Sequence, residues 1–115
     1  MDELLTQYDV SDGFRIVTVN GEIDIANAGA LEEQLLQSAE GARKLIVSLA
    51  SCTYMDSSGL RVLIRMSNEL GENFGVVVRR GSQIRRIFEI AGLDLQMNVF
   101  DAVRDAVARD RAATT

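Results

Sequence analysis

The spacing of apolar residues changes along the chain, and each change marks an element of secondary structure. Residues 14–19 are mostly β-branched or aromatic and alternate between two sides, which predicts a strand. The turn sequence Ser11-Asp12-Gly13 comes before them, so residues 4–10 can pair with this strand as a hairpin. After the Asn20-Gly21 break, residues 22–24 can continue the strand beyond a bulge.

A helical period of three to four residues follows this first strand. The apolar side chains with this spacing form one stripe, made of Ala28, Leu31, Leu35 and Ala39. Asn27 is a candidate N-cap for the helix, and Gly41 is a candidate stop. Residues 45–49 are then a nearly continuous apolar run, the pattern of a central strand covered on both faces. This half of the chain therefore predicts a β-α-β unit with a right-handed crossover.

The second half of the chain repeats the alternation of helix and strand. A helix over residues 58–70 carries an apolar stripe of Leu60, Leu63, Ile64 and Leu70. The remaining predicted elements are a strand at 76–78, a helix at 83–91 closed by Gly92, a strand at 95–100 and a helix that Asp101 caps and that runs to residue 109. Alternating strands and helices predict an α/β fold, here a mixed sheet of four to five strands with about four helices packed against it.

Length and composition are those of a single globular domain. The chain has 115 residues, of which 47% are hydrophobic and 25% are charged, and this allows one core but no second domain. We expect the domain to span residues 1–111 and residues 112–115 to form a frayed tail.

Charge and missing residue types narrow the chemistry. Twelve Lys and Arg against seventeen Asp and Glu leave a net charge of −5, which disfavours nucleic-acid and anionic membrane partners. The chain has one cysteine, Cys52, and no histidine, so we expect no disulfide, no metal, no cofactor and no enzymatic activity. No apolar run approaches the ~20 residues of a membrane span and the N-terminus is acidic, so we expect a cytoplasmic protein.

The segment after the 45–49 strand carries the candidate chemistry. It includes Met55-Asp56-Ser57-Ser58-Gly59-Leu60, and such strand-to-helix segments lie beyond the carboxyl ends of the strands, where α/β proteins form sites. One interpretation is that Asp56 or Ser57 is only a helix N-cap. The other is that a serine hydroxyl accepts a phosphoryl group, because a helix N-terminus tolerates a phosphate. Gly59 would then leave an approach path for another protein's active site.

Other conspicuous residues have ordinary interpretations. The basic residues concentrate in one region, at Arg79, Arg80, Arg85 and Arg86. We interpret this region as a solvated face, because the chain has no G-x-x-x-x-G-K-[ST] or G-x-G-x-x-G nucleotide-binding loop. Cys52 is expected to be a small buried residue, and one of Tyr54 and Met55 is expected to point into the core.

The 55–60 segment, followed by x-V-L-I, resembles the central motif of the STAS domain family, and in particular that of the bacterial anti-sigma factor antagonists. Three other segments resemble family segments in the same order. Residues 21–24 resemble the Gly-Glu-aliphatic-Asp before the first helix, residues 45–49 the strand before the motif, and residues 87–93 the short helix and turn after the fourth strand. The resemblance covers roughly residues 14–100.

The resemblance implies a STAS-like mixed sheet and a binding protein switched by phosphorylation. Ser57 would be phosphorylated by an anti-sigma factor that is also a serine kinase, and Ser58 would be a helix cap or supporting residue. Asp24, Asp56, Ser57, Ser58 and Gly59 would contact the partner. The unphosphorylated form would bind the anti-sigma factor and release its sigma factor, a phosphatase would restore that form, and the protein would be a monomer or weak homodimer.

Some features leave alternatives open. The Ile25-Ala26-Asn27-Ala28 segment and the lack of a proline before Gln83 depart from familiar family members, so the partner is not identified. A STAS scaffold or regulatory subunit of a stress-signalling or lipid-transport complex is one alternative. A small hydrolase or phosphotransferase with Ser57 as nucleophile and Asp56 or Asp24 as base is disfavoured, because a carboxylate without histidine activates serine poorly.

Overall fold

The computed structural model describes residues 3–114, with side chains for residues 3–109. Strands and helices alternate along this part of the chain. The strands are β1 Leu5–Val10, β2 Phe14–Val19, β3 Gly21–Ile23, β4 Lys44–Ser48, β5 Cys52–Met55, β6 Phe74–Val77 and β7 Asn98–Phe100. The helices are α1 Ala28–Ala39, α2 Ser57–Leu70, α3 Gln83–Ala91 and α4 Val103–Thr114. Among the described residues, no helix combines the length and the apolar character needed to cross a membrane.

Five strands form one mixed sheet in the order β1-β2-β4-β6-β7. β1 runs antiparallel to β2, with Val10 opposite Phe14, so the predicted hairpin is confirmed. The pairs β2–β4, β4–β6 and β6–β7 are parallel, as the intervening helices require. The predicted α/β fold with a mixed sheet and four helices is confirmed.

Helices cover both faces of this sheet because its strands alternate apolar side chains between two cores. The larger core lies between the sheet and helices α1, α2 and α3; from the sheet it includes Val17, Val19, Leu45, Val47 and Val76. The smaller core lies under α4 and consists of Phe14, Ile16, Ile46, Val77 and Ala106. The alternation predicted for residues 14–19 therefore supplies both cores.

A second, two-stranded sheet stands apart from the main one. In it β3 pairs in parallel with β5, and we call this pair the ribbon. After the Asn20-Gly21 break, where a bulge was expected to continue the strand, the chain leaves the main sheet and enters the second one. The register of β3 on β5 is irregular between Gly21 and Glu22. The sequence pattern did not predict β5, because residues 52–55 are too few and only partly apolar.

Neither predicted N-cap outside the central motif caps its helix with its side chain, although Asn27 does occupy the N-cap position of α1. Asn27 precedes α1, but its side chain makes no capping hydrogen bond. The last helix begins at Val103, and the Asp101 carboxylate instead pairs with Arg85 at 2.9 Å and Arg80 at 3.1 Å. In both cases the side chain has a partner outside the helix.

Two further element predictions need correction. The buried face of α2 consists of Gly59, Val62, Leu63 and Met66, so the predicted stripe is rotated, and its other members Leu60, Ile64 and Leu70 are only half-buried. The final strand is limited to Asn98–Phe100, because residues 93–95 form a 3₁₀ turn. The helix α4 continues to Thr114, into the segment expected to be a tail; Thr115 lies outside the described residues.

Candidate functional site

The ribbon brings the two predicted aspartates to the ends of neighbouring strands. Ile23 pairs with Met55, and the backbone N–H of Asp56 donates to the Ile23 carbonyl at 3.1 Å. Asp24 and Asp56 are the next residues on the two parallel strands, so both leave the ribbon at its carboxyl end. This end is the place where α/β proteins form sites.

Asp56 is the N-cap of α2. Its backbone is extended, and its Oδ1 atom accepts a hydrogen bond from the Ser58 N–H at 2.8 Å. The interpretation of Asp56 as a cap is therefore confirmed, and of the two roles expected for Ser58, helix cap or supporting residue, the capping role falls to Asp56 instead. Ser58 contributes through its backbone amide and is half-buried.

Ser57 is the first residue of α2 and is exposed to solvent. The amides of a first helical turn and the positive end of the helix dipole favour an anion at this position. Ser57 is therefore an exposed serine at a helix N-terminus. The opposite side of this first turn of α2 packs against the ribbon.

Gly59 lies on the side of α2 that packs against the ribbon. It is buried, and a Cβ atom added to it would lie 2.6 Å from Met55 Cγ and 2.7 Å from Ile23 Cγ2. The interpretation that Gly59 opens an approach path for a partner is therefore wrong. Its missing side chain lets the first turn of α2 pack directly on the ribbon, and this packing holds Ser57 at the ribbon's end.

Asp24 belongs to a closed hydrogen-bonded loop. Its carboxylate accepts from the Ala26 N–H at 2.9 Å, and its own N–H donates to Asn27 Oδ1 at 2.9 Å. The Asn27 side chain also donates to the Glu22 carbonyl at 2.9 Å, which explains why Asn27 does not cap α1. Asp24 is exposed, so it combines a structural role with a position on the surface.

Two large apolar side chains lie exposed next to these aspartates. Ile25 is 82% exposed and Tyr54 is 49% exposed, whereas Met55 is 2% exposed and packs in the core. The expectation that one of Tyr54 and Met55 points inward is confirmed. The sequence pattern does not identify Ile25 as an exposed contact residue; its only signal is a position outside both the strand alternation and the helical stripe.

Cys52, at the start of the ribbon, has no sign of reactivity. It is 8% exposed, and its thiol donates to the Tyr54 carbonyl at 3.2 Å. Burial raises the pKa of the Cys52 thiol, which keeps it protonated and unreactive at neutral pH. The prediction of a small buried residue is confirmed.

The arginine region is only partly a solvated face. Arg79, Arg80 and Arg86 are exposed, but Arg85 is half-buried and donates to the Val78 carbonyl at 2.8 Å and to Asp101 at 2.9 Å. Within the described part of the chain, no group of three or more acidic, cysteine or histidine side chains is arranged to hold a metal ion.

Comparisons with known proteins agree with this arrangement. A family model described as the STAS domain matches residues 6–106. The anti-sigma-F factor antagonist RsfB of Mycobacterium tuberculosis is 34% identical over 99 residues, which are 84% of this chain and 80% of RsfB. A crystal structure of an anti-sigma factor antagonist from Mycobacterium paratuberculosis has a TM-score of 0.80 and 32% identity, covering 93% of this chain and 94% of that one.

A more distant structure shares the fold alone. The Bacillus cell fate determinant SpoIIAA in its phosphorylated form has a TM-score of 0.64 and 18% identity, and the match covers 91% of this chain and 97% of that one.

Proposed function

Since the chain belongs to the STAS domain family, we propose that it is an anti-sigma factor antagonist controlled by phosphorylation of Ser57. In its unphosphorylated form it binds an anti-sigma factor that is also a serine kinase, and the sigma factor held there is released. Relatives at 34% and 32% identity are named anti-sigma factor antagonists, which supports this class of function.

The exposed Ser57 hydroxyl at the start of α2 is the observation that carries the proposal. A kinase must reach the hydroxyl, and the product must remain compatible with the fold. Both conditions are met at an exposed helix N-terminus, where the dipole and the amides of the first turn favour added negative charge. The distant relative SpoIIAA was solved in a phosphorylated form, which is consistent with a fold that carries such a group.

The switch follows from charge. A phosphate adds about −1.5 to −2 charges at neutral pH. On Ser57 it would adjoin Asp56 and lie at the same end of the ribbon as Asp24, on a chain that already has a net charge of −5. A partner surface that complements two carboxylates would meet a cluster of like charges and a bulky group, so the complex would separate while the fold is preserved.

The five predicted site residues then have different roles. Ser57 accepts the phosphoryl group, and Asp24 and Asp56 contact the partner. Ser58 and Gly59 act by position, the first through the amide that holds Asp56 and the second by letting α2 pack on the ribbon. The kinase supplies ATP, metal and the catalytic base, so this chain contributes no catalytic group and no cofactor.

Phosphorylation by candidate kinases tests the proposal. Each anti-sigma factor kinase of the source organism is incubated with the protein and ATP, and the phosphosite is mapped by mass spectrometry. We expect one kinase to modify Ser57, Ser57→Ala to abolish the label, and Ser58→Ala to retain it. Binding of that kinase should persist for Ser57→Ala and fall at least tenfold for Ser57→Asp, about 1.4 kcal/mol.

Label on another residue, or equal binding by Ser57→Ala and Ser57→Asp, would contradict the proposal. Light scattering provides an independent check. We expect a monomer or weak homodimer in the cytoplasm, with a phosphatase to regenerate the active form; a stable large oligomer would instead favour a scaffold in a stress-signalling assembly.

A further inference from the structure

We propose that Ile25 is a preformed apolar anchor that inserts into the anti-sigma factor beside Ser57. This inference rests on the proposed function and adds to it a residue that determines affinity. Ile25 is a large β-branched residue directly after Asp24, and it is 82% exposed.

The exposure of Ile25 is held in place by the loop that carries it. Three hydrogen bonds of 2.9 Å hold this loop: the Asp24 N–H donates to Asn27 Oδ1, the Ala26 N–H donates to Asp24 Oδ1, and the Asn27 side-chain amide donates to the Glu22 carbonyl. The Asp24 carbonyl further accepts the first amide of α1, from Ala28, at 2.9 Å. Because the backbone that carries Ile25 is already ordered in this way, it loses little further entropy when a partner covers the side chain.

The position of Ile25 places it in the surface that Ser57 would share with its kinase. Asp24 and Asp56 leave the ribbon side by side at the ends of β3 and β5. Ile25 and Ser57 are the next residues along these two segments. On the outer face of the ribbon, Tyr54 is also exposed. In an interface hot spot, a central residue is usually surrounded by weaker contacts that exclude water from it.

The chemistry around Ile25 defines the partner surface. Glu22 and Asp24 are exposed carboxylates on the same strand and loop, and Asp56 follows the neighbouring strand. The complementary surface is therefore an apolar recess with arginine or lysine at its edge. A phosphate on Ser57 would bring unpaired charge to the border of this apolar contact, which adds a desolvation penalty to the charge repulsion.

The test compares two exposed aliphatic side chains. Leu95 is 90% exposed, and it lines a cleft with Ser67 and Gly71 at the opposite end of α2. Because α2 has 14 residues, it separates this cleft from Ser57 by about 20 Å. Leu95→Ala is therefore a matched control for Ile25→Ala, with circular dichroism to check that both variants fold.

The probe is the anti-sigma factor kinase that phosphorylates the wild-type protein, and binding is measured by calorimetry. We expect Ile25→Ala to weaken binding at least tenfold, Ile25→Leu to restore most of it, and Leu95→Ala to change it less than twofold. For phosphorylation of Ser57, Ile25→Ala should raise KM and leave kcat unchanged, because the anchor contributes binding alone.

Failure of the inference can be separated from failure of the proposed function. If the wild-type protein binds the kinase and is phosphorylated, but Ile25→Ala behaves like Leu95→Ala, the anchor is refuted and the antagonist function stands. If Ile25→Ala abolishes only self-association in analytical ultracentrifugation, the anchor belongs to a homodimer and the inference is also refuted. If no kinase binds the wild-type protein, both fail.

Discussion

At the scale of single residues, the site depends on which side chains are enclosed and which are free. Asp56 and Ser57 are neighbours, yet the first is committed to the Ser58 amide and the second is exposed. Gly59 is enclosed so tightly that no side chain fits without displacing Ile23 or Met55. The polar and small residues at 56–59 therefore divide into a cap, an exposed serine and a packing residue.

The packing role of Gly59 predicts opposite effects for two glycine substitutions in helices. Gly59→Ala should lower the free energy of unfolding by about 1–3 kcal/mol, because Cβ would overlap Ile23 and Met55. Gly29→Ala in α1 meets nothing within 4 Å and should raise it by up to about 1 kcal/mol through helix propensity. Urea unfolding of both variants measures this, and equal effects in the same direction would contradict the assignment.

At the scale of elements, long-range polar contacts tie the ends of helices to strands. Arg85 joins the first turn of α3 to the end of β6 through the Val78 carbonyl, and to the segment after β7 through Asp101. The same contact removes Asp101 from the capping role that its sequence position favours. Asn27 is held by local contacts instead, since its side chain binds the Glu22 carbonyl and the Asp24 amide and makes no capping hydrogen bond to α1.

The Arg85 contact predicts that two adjacent arginines differ in their effect on stability. Arg85→Ala should reduce the free energy of unfolding by about 1.5–3 kcal/mol, because the Val78 carbonyl and the Asp101 carboxylate lose a charged hydrogen-bond donor. Arg86→Ala, on the exposed side of the same helix, should change it by less than about 0.5 kcal/mol. Thermal unfolding distinguishes them, and similar losses would show that Arg85 has no special role.

At the scale of the whole molecule, two unequal cores hold one sheet. Three helices bury the larger face and α4 alone covers the smaller one, while the ribbon extends beyond the carboxyl end of β2 and β4. This division leaves the carboxyl end of the ribbon and the start of α2 at the surface, where we propose that the partner binds. The buried Cys52 thiol lies where the ribbon joins the larger core, so its ionisation reports on that junction.

Burial of Cys52 predicts a loss of stability at alkaline pH. Because the folded-state pKa of the thiol is raised, the unfolded chain releases this proton at a lower pH than the folded one. The contribution of the thiol is therefore complete below the unfolded-state pKa of about 8.5, and it is lost progressively from there up to the raised folded-state pKa. The free energy of unfolding of the wild-type protein, measured relative to that of Cys52→Ser, should therefore fall as the pH rises above about 8.5. A difference between the two proteins that does not change with pH would contradict the burial effect.

The sequence by itself determined the elements with strong periodicity and the location of the candidate site. Alternation in residues 14–19 and the apolar run near Val47 predicted strands, and the strand-to-helix segment marked Asp56 and Ser57, because hydrophobic spacing and capping chemistry are local properties.

Only the tertiary structure decided which of these residues meet and which remain exposed. The pairing of β3 with β5 and the burial of Gly59 against Ile23 depend on contacts between segments about 30 residues apart, and Ile25 is exposed in the loop that leaves this pair of strands. No local pattern records such contacts, because a side chain such as Asp101 pairs with the partner that folding brings near it, Arg85, and the packing of the sheet and its helices determines that partner.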